Sequence, residues 1–281
     1  MNNLKNLHFD YCMEISYSVD VTRCYYTIKC IPRDTERQKI ANLKIEMIPQ
    51  SKPEWSYDSL GNRYIWGCNS LPHSYFKFRI TGDAECRDTS YENFTTANDE
   101  MIFRHSTKLT NPGENIKKYY NKISESVNGF EAMSAYEKAQ AIMRHLYEDF
   151  EYIKGSTDVT TSAEEALSLG KGVCQDYAHI LVSLLIFAGC SARYVTGLII
   201  GEGESHAWVE VACDGKWYGL DPTNNQLVKD SHIKIGVGRD ANECQLNRGI
   251  MHGGGDQKQE IAVTVSEISK GAKYLKKGAW L

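Results

Sequence analysis

Three residues of this chain have the types and the setting that nucleophilic catalysis requires: Cys174, His206 and Asp221. A long apolar segment that follows two glycines predicts a buried helix from about Cys174 to Ala188. Cys174 would then lie in the first turn, where free backbone N–H groups and the helix dipole favour a thiolate. A cysteine that serves only packing would more often lie in the middle of such a helix.

His206 and Asp221 lie on two predicted strands that the turn Asp214-Gly215 joins. A two-residue turn pairs Cys213 with Lys216, and this register places Asp221 diagonally opposite His206 on one sheet surface. The two side chains would then be within reach of each other. The sequence pattern alone therefore predicts an imidazole beside a carboxylate, provided that no bulge shifts the register.

If the Cys174 helix packs across that surface, the three residues form a nucleophile, a general base and an orienting carboxylate. An imidazolium beside a helix N-terminus stabilises a thiolate, and a carboxylate fixes the imidazole tautomer. The backbone N–H of Cys174 is a natural donor to the oxyanion of a tetrahedral intermediate. Taken singly, Cys174 could serve packing, His206 a backbone hydrogen bond and Asp221 a turn, but the combination favours catalysis.

Two kinds of periodicity divide the chain into segments. Apolar residues alternate in several short strands from Phe9 to about Ile80, which is typical of a β-sandwich of roughly a hundred residues. After Pro112 the period becomes helical, with capping boxes at 134–137 and 162–165. We predict an N-terminal β-sandwich domain over residues 1–110 and a catalytic domain over residues 111–281, which includes a last strand at 260–265.

Composition narrows the class of protein. The chain has 42% hydrophobic and 24% charged residues and a formal net charge of -4, so it has no basic footprint for nucleic acid. No apolar run has membrane-spanning length, and the N-terminus lacks a secretory core, so we expect a cytoplasmic protein with no membrane partner. The nine cysteines are an odd number without a CxxC pair, which favours reduced thiols over disulfides or a metal site.

Three segments resemble the transglutaminase-like superfamily in its bacterial cysteine-protease branch: Gly-Val-Cys-Gln-Asp-Tyr-Ala-His at 172–179, Ser-His-Ala-Trp-Val-Glu at 205–210, and Trp-Tyr-Gly-Leu-Asp-Pro-Thr-Asn at 217–224. The resemblance extends over about residues 134–265, and a β-domain often precedes this core. It implies an α+β, papain-like fold, a thioester mechanism, and neither metal nor cofactor. The superfamily includes proteases, crosslinking enzymes, deamidases and inactive members, so the substrate stays open.

We therefore expect a cysteine acyl-transfer enzyme that hydrolyses peptide or amide bonds in a peptide or protein substrate. A protein-glutamine transglutaminase or deamidase and a non-catalytic protein-binding module are the alternatives. Tyr152 and Trp208 are candidates for the walls of the acyl site, with core packing as the other interpretation. His179 lies off the face of Cys174 and is interpreted as structural or solvated. The oligomeric state is not predicted.

Overall fold

The computed structural model describes residues 4–96 and 98–268, which form two large antiparallel sheets and a group of four α-helices. The strands of the N-terminal part are β1 Leu4–Ile28, β2 Gln38–Ile48, β3 Glu54–Tyr57, β4 Arg63–Asn69, β5 His73–Arg87 and β6 Tyr91–Asn93. The helical part contains α1 Glu114–Ser126, α2 Ala135–Asp149, β7 Glu151–Tyr152, α3 Ala163–Leu169, β8 Lys171–Gly172 and α4 Cys174–Phe187. The remaining strands are β9 Ala192–Ile199, β10 Gly201–Gly203, β11 His206–Cys213, β12 Lys216–Asp221, β13 Gln226–Leu227, β14 His232–Gly238, β15 Asn247–Gly253 and β16 Gln257–Glu267.

The first sheet is built on β1, which is 25 residues long and continues through both halves of the β domain. Its first half lies between β5 and β16, and its second half lies between β4 and β15. The sequence predicted two separate strands here, because the alternation of apolar residues weakens between Tyr17 and Val21. Phe9, Tyr26 and Phe78 share one buried cluster, so the inner faces of both halves form a single core. The predicted combination of an N-terminal β domain with an α+β core is confirmed.

The last strand does not belong where the sequence analysis placed it. β16 pairs with β1, with Phe9 opposite Val265, so the chain returns to the first sheet after the second sheet is complete. Val263 and Val265 are buried in the core of that first sheet. Alternating apolar residues predict a strand but do not identify its partner, which explains the error. Of the two predicted domain ranges, residues 1–3 and 269–281 lie outside the described residues.

Helix α4 is the centre of the second part. Helices α1, α2 and α3 contact it, and both predicted capping boxes, at Ser134 and Ser162, are present. The second sheet has the strand order β13-β12-β11-β9-β14, with β6 at β12. Helix α4 packs on the face of this sheet that carries Ala207, Val209 and Val211 of β11. No helix of residues 4–96 and 98–268 is long and apolar enough to span a membrane.

The opposite face of the second sheet buries a network of charges. The ammonium of Lys234 lies 2.6 Å from Glu92 of β6 and 2.6 Å from Glu210 of β11. Arg193 of β9 also pairs with Glu210, at 2.6 Å, and its guanidinium lies 4.1 Å from the ring centroid of Trp217. Because buried charges are stable only when they are paired, this network fixes β6 and three strands relative to one another.

We expect Lys234→Met to lower the free energy of unfolding by about 3–5 kcal/mol, because it leaves two buried carboxylates, Glu92 and Glu210, with Arg193 as their one remaining cation in the network. Lys39→Met is the matched control. Lys39 pairs with Asp34 at 3.3 Å, but its side chain is 65% exposed, so its loss should cost less than about 1 kcal/mol. Urea unfolding followed by tryptophan fluorescence measures both. Similar losses in the two variants would contradict a structural role for the buried network.

Candidate active site

Cys174 is the first residue of α4 and is half-buried. The carboxylate of Asp176 accepts hydrogen bonds from the Val173 N–H at 2.7 Å and from the Thr157 hydroxyl at 2.6 Å. These bonds cap the first turn and hold the preceding loop against it. Asp176 also packs directly on Gly172, where an added Cβ would lie 2.5 Å from the carboxylate oxygen. A glycine is therefore required at position 172, two residues before Cys174, because a larger residue would collide with Asp176.

The thiol opens into a cleft of about 440 Å³. The cleft lies between the N-terminus of α4, the loop after β7, strand β10 and the edge of the first sheet. Its lining includes Tyr152, Lys154, Thr157, Cys174, Ile200, Glu202, Glu204, His206 and Val263. Val263 belongs to β16, so both sheets contribute to the walls.

His206 and Asp221 form the pair that the hairpin register predicted. Strands β11 and β12 pair Cys213 with Lys216 and Val209 with Leu220, without a bulge. The Nε2 atom of His206 lies 2.8 Å from Oδ2 of Asp221. Since an ionised carboxylate only accepts, Nε2 carries the proton and Nδ1 is the nitrogen left for the thiol. Cys174 and this imidazole line the same cleft.

Asp221 is completely buried and is nevertheless surrounded by donors. Its Oδ1 accepts from the backbone N–H groups of Thr223 and Asn224, at 3.1 and 3.3 Å. Its Oδ2 accepts from His206, from the Asn224 amide at 2.8 Å and from His232 at 3.2 Å. Burial raises the pKa of Asp221, but the hydrogen bonds from His206 and His232 outweigh it and hold that pKa well below its usual range. Asp221 therefore remains ionised.

The electrostatics of His206 favour an imidazolium. Burial lowers the pKa of His206, but the hydrogen bonds and charges of Asp221 and Cys174 outweigh it and raise the pKa to about 10. A cationic ring beside a thiol at a helix N-terminus is the arrangement that supports a thiolate nucleophile. The same ring can later donate its proton to a leaving group. These are the features that acyl transfer through a thiolate requires.

His232 was missed by the sequence analysis. It is the first residue of β14, is fully buried, and reaches Asp221 from outside the hairpin. One potential metal-ligand atom from each of His206, Asp221 and His232 lies within 4.8 Å of the other two, a spacing that would fit a metal ion. A metal would have to replace the hydrogen bonds that hold both imidazoles on Asp221. We therefore interpret the cluster as a hydrogen-bonded group.

The other predicted site residues fall into two places. Tyr152 lines the cleft and is 45% exposed, so it is in position to contact a substrate. Trp208 is 0% exposed and packs with Phe103 and Trp217 in a separate core cluster, so it does not line the acyl site. Helix α4 covers the face of β11 that carries the odd-numbered residues, so Trp208 points away from the helix. The condition that α4 packs across the surface of His206 is therefore not met, and His206 and Cys174 instead line one cleft at the start of β11.

Comparison with known proteins gives a structural neighbour and a matching family model. A crystal structure described as a cysteine-protease candidate from Cytophaga hutchinsonii superposes with a TM-score of 0.78 and 20% identity, over 97% of this chain and 93% of that one. The two chains therefore share one fold, in this chain an α+β core preceded by a β domain. Residues 107–222 match the model of the transglutaminase-like superfamily, so this segment resembles that superfamily.

Curated relatives match this chain over different lengths. An uncharacterized protein of Mycobacterium leprae is 26% identical over 274 residues, which cover 90% of this chain and 95% of that protein. An uncharacterized protein of Mycobacterium tuberculosis is 36% identical over 132 residues, which cover 41% of this chain and 42% of that protein. The higher identity is thus confined to less than half of each of the two chains.

The environments of His206 and His179 predict opposite titration behaviour. His179 is fully buried, and burial lowers its pKa to about 4, against the opposing charge of Asp240. We expect imidazole NMR signals to show His206 charged until about pH 10 and His179 neutral down to about pH 4. The signals are assigned by their loss in His206→Gln and His179→Gln. A His206 ring that titrates near its usual pKa of about 6.5 would contradict the assigned environment.

Proposed function

We propose that this protein is a cysteine-dependent acyl-transfer enzyme that hydrolyses peptide or amide bonds through a thioester on Cys174. The observation that carries the proposal is the hydrogen-bonded pair of His206 and Asp221 beside Cys174, with Cys174 and His206 lining one cleft at the helix N-terminus. Its members are graded in burial, with the nucleophile half-buried and the carboxylate inaccessible. A reacting carbonyl can thus reach the sulfur while the base and its partner are shielded.

The residues have these roles in the proposed reaction. The Cys174 thiolate attacks the carbonyl carbon, and the backbone N–H of Cys174, which has no acceptor within the helix, can donate to the developing oxyanion. The His206 imidazolium gives its proton to the leaving nitrogen as the C–N bond breaks, which leaves a thioester. His206 then takes a proton from water as the water attacks the thioester. The carboxylic acid leaves and the thiolate–imidazolium pair is restored.

The shape of the cleft supports a peptide substrate over a small amide. Strand β10 pairs with β16 on one side only, and its three residues are exposed beside the nucleophile. Exposed backbone N–H and C=O groups along a cleft are suited to an extended peptide. We propose hydrolysis rather than transfer to an amine, because Cys174 is only half-buried in this cleft, so that water can reach the thioester.

The alternative of a non-catalytic binding module is weakened by the protonation state of the site. A binding surface does not need an imidazolium held beside a thiol.

We propose a cytoplasmic location because of the state of the thiols: all nine cysteines lie within the described residues, and none of them forms a disulfide.

We expect Cys174 to react with iodoacetamide at pH 6 at least about tenfold faster in the wild type than in His206→Ala, because an ordinary thiol is almost fully protonated at that pH. Asp221→Asn should retain an accessible thiol but lose most turnover, since the imidazole is then held in the wrong tautomer. Mass spectrometry of tryptic peptides measures alkylation at each cysteine. The buried Cys30 and Cys244 are internal controls and should label slowly.

Two outcomes would contradict the enzymatic proposal. The first is alkylation of Cys174 with the pH profile of a free cysteine in the wild type. The second is an unchanged profile in His206→Ala. Either result would favour a non-catalytic protein-binding module over an enzyme.

The reaction type is tested with casein as a general peptide and glutamine donor, with and without the fluorescent amine monodansylcadaverine. We expect new N-termini and no fluorescent casein, because water resolves the thioester. Cys174→Ala should abolish the activity. Fluorescent casein would identify a transglutaminase, and ammonia release without new N-termini would identify a deamidase.

A further inference from the structure

His232 contacts Asp221 from a different strand than His206 does. Its Nε2 lies 3.2 Å from Oδ2 of Asp221, the same oxygen that His206 approaches at 2.8 Å. The ring centroids of the two histidines are 6.2 Å apart, so they flank the carboxylate without stacking. The His232 ring also meets the edge of Trp208, with centroids 5.4 Å apart. The ring is thus fixed by packing and by hydrogen bonding at once.

The second nitrogen of His232 identifies its tautomer. Nδ1 lies 3.0 Å from the hydroxyl oxygen of Ser231. Because Nε2 faces an acceptor, Nε2 carries the proton, and Nδ1 accepts from the Ser231 hydroxyl. Burial lowers the pKa of His232 more than Asp221 raises it, so the ring is neutral. Asp221 therefore selects the tautomer, and the Ser231 hydroxyl adjusts to it by donating to Nδ1.

We propose that His232 is a positioning residue: its neutral imidazole, oriented by Ser231, holds the Asp221 carboxylate in the place from which that carboxylate orients His206. This inference rests on the proposed acyl-transfer function, because a binding module has no need of an oriented imidazole. His232 does not itself line the cleft. It acts through Asp221 alone.

The rest of the Asp221 environment shows why a second imidazole is useful. The other donors to this carboxylate come from Thr223 and Asn224, in the turn that follows β12, and from Gln226, the first residue of β13. They fix the carboxylate relative to its own strand. His232 is the donor that ties it to β14 and so to the far side of β9. Ser231 also accepts from the backbone N–H of Ile200, a residue of the cleft wall, at 3.1 Å.

Three variants test the proposal. His232→Gln places an amide N–H close to the position of Nε2 and keeps a donor to Asp221. His232→Leu fills similar space without a donor. His179→Leu is the matched control, since it also replaces a fully buried histidine and deletes a single hydrogen bond, from the backbone N–H of Ala241 at 3.1 Å. Thermal unfolding ranks the three for stability, so that a general loss of packing is recognised.

The probe is 4-nitrophenyl acetate, whose acyl group passes to the thiol with release of nitrophenolate. We expect the acylation rate constant of His232→Leu to fall about 10- to 100-fold at saturating probe with little change in the half-saturating concentration, because a hydrogen bond to a charged group is lost while the cleft is intact. His232→Gln should stay within about threefold of the wild type. The NMR resonance of the proton between His206 and Asp221 should shift or broaden in His232→Leu alone.

The outcomes separate this inference from the function on which it rests. If wild-type Cys174 is not acylated, the proposed function fails first. If the wild type is acylated and His232→Leu matches it, or if His179→Leu loses as much as His232→Leu at equal stability, the positioning role is overturned. If His232→Gln is as slow as His232→Leu although both are folded, the hydrogen bond is not the cause and the proposal is again overturned.

Discussion

The structure depends on one buried anion. Asp221 is completely shielded from solvent, and a buried carboxylate is stable only if hydrogen-bond donors of the protein replace water. Its partners come from three places in the chain: His206 on β11, the turn after β12, and His232 on β14. Each partner adds a hydrogen bond and at the same time fixes one element. The charge that pairs with the His206 imidazole is thus also the reason why these strand ends meet at one point.

A second buried network performs the same task further along the sheet. Lys234 joins Glu92 and Glu210, and it lies two residues after His232 on the same strand. Strand β14 therefore carries one member of each network. The segment with Glu92 comes from the N-terminal part of the chain, so the β domain is attached to the catalytic sheet by paired charges as well as by apolar contacts. Such pairs specify register, because a shift by one residue would leave several charges without partners.

The sequence predicted what is local and missed what is distant. The capping boxes, the helix that begins at Cys174 and the two-residue hairpin are set by neighbouring residues, and the structure confirms each of them. The contact between His206 and Asp221 followed from that hairpin. His232 could not be found in this way, because β14 reaches the site through β9 and its register changes at a bulge after Lys234. The position of Trp208 in a core cluster was not predicted, because alternation shows that a strand has two faces but does not show which face the helix covers.

The position of β16 explains how the β domain bears on the proposed chemistry. This strand pairs with β1 in the first sheet and with β10 at the cleft, and it places Val263 in the cleft wall. Cys174 and His206 come from the segment that matches the superfamily model, whereas part of the cleft wall comes from the first sheet. Because β10 has only three residues, its position depends on pairing with β16. The β domain therefore shapes the cleft directly, so a change in β16 would alter the cleft without altering Cys174, His206 or Asp221.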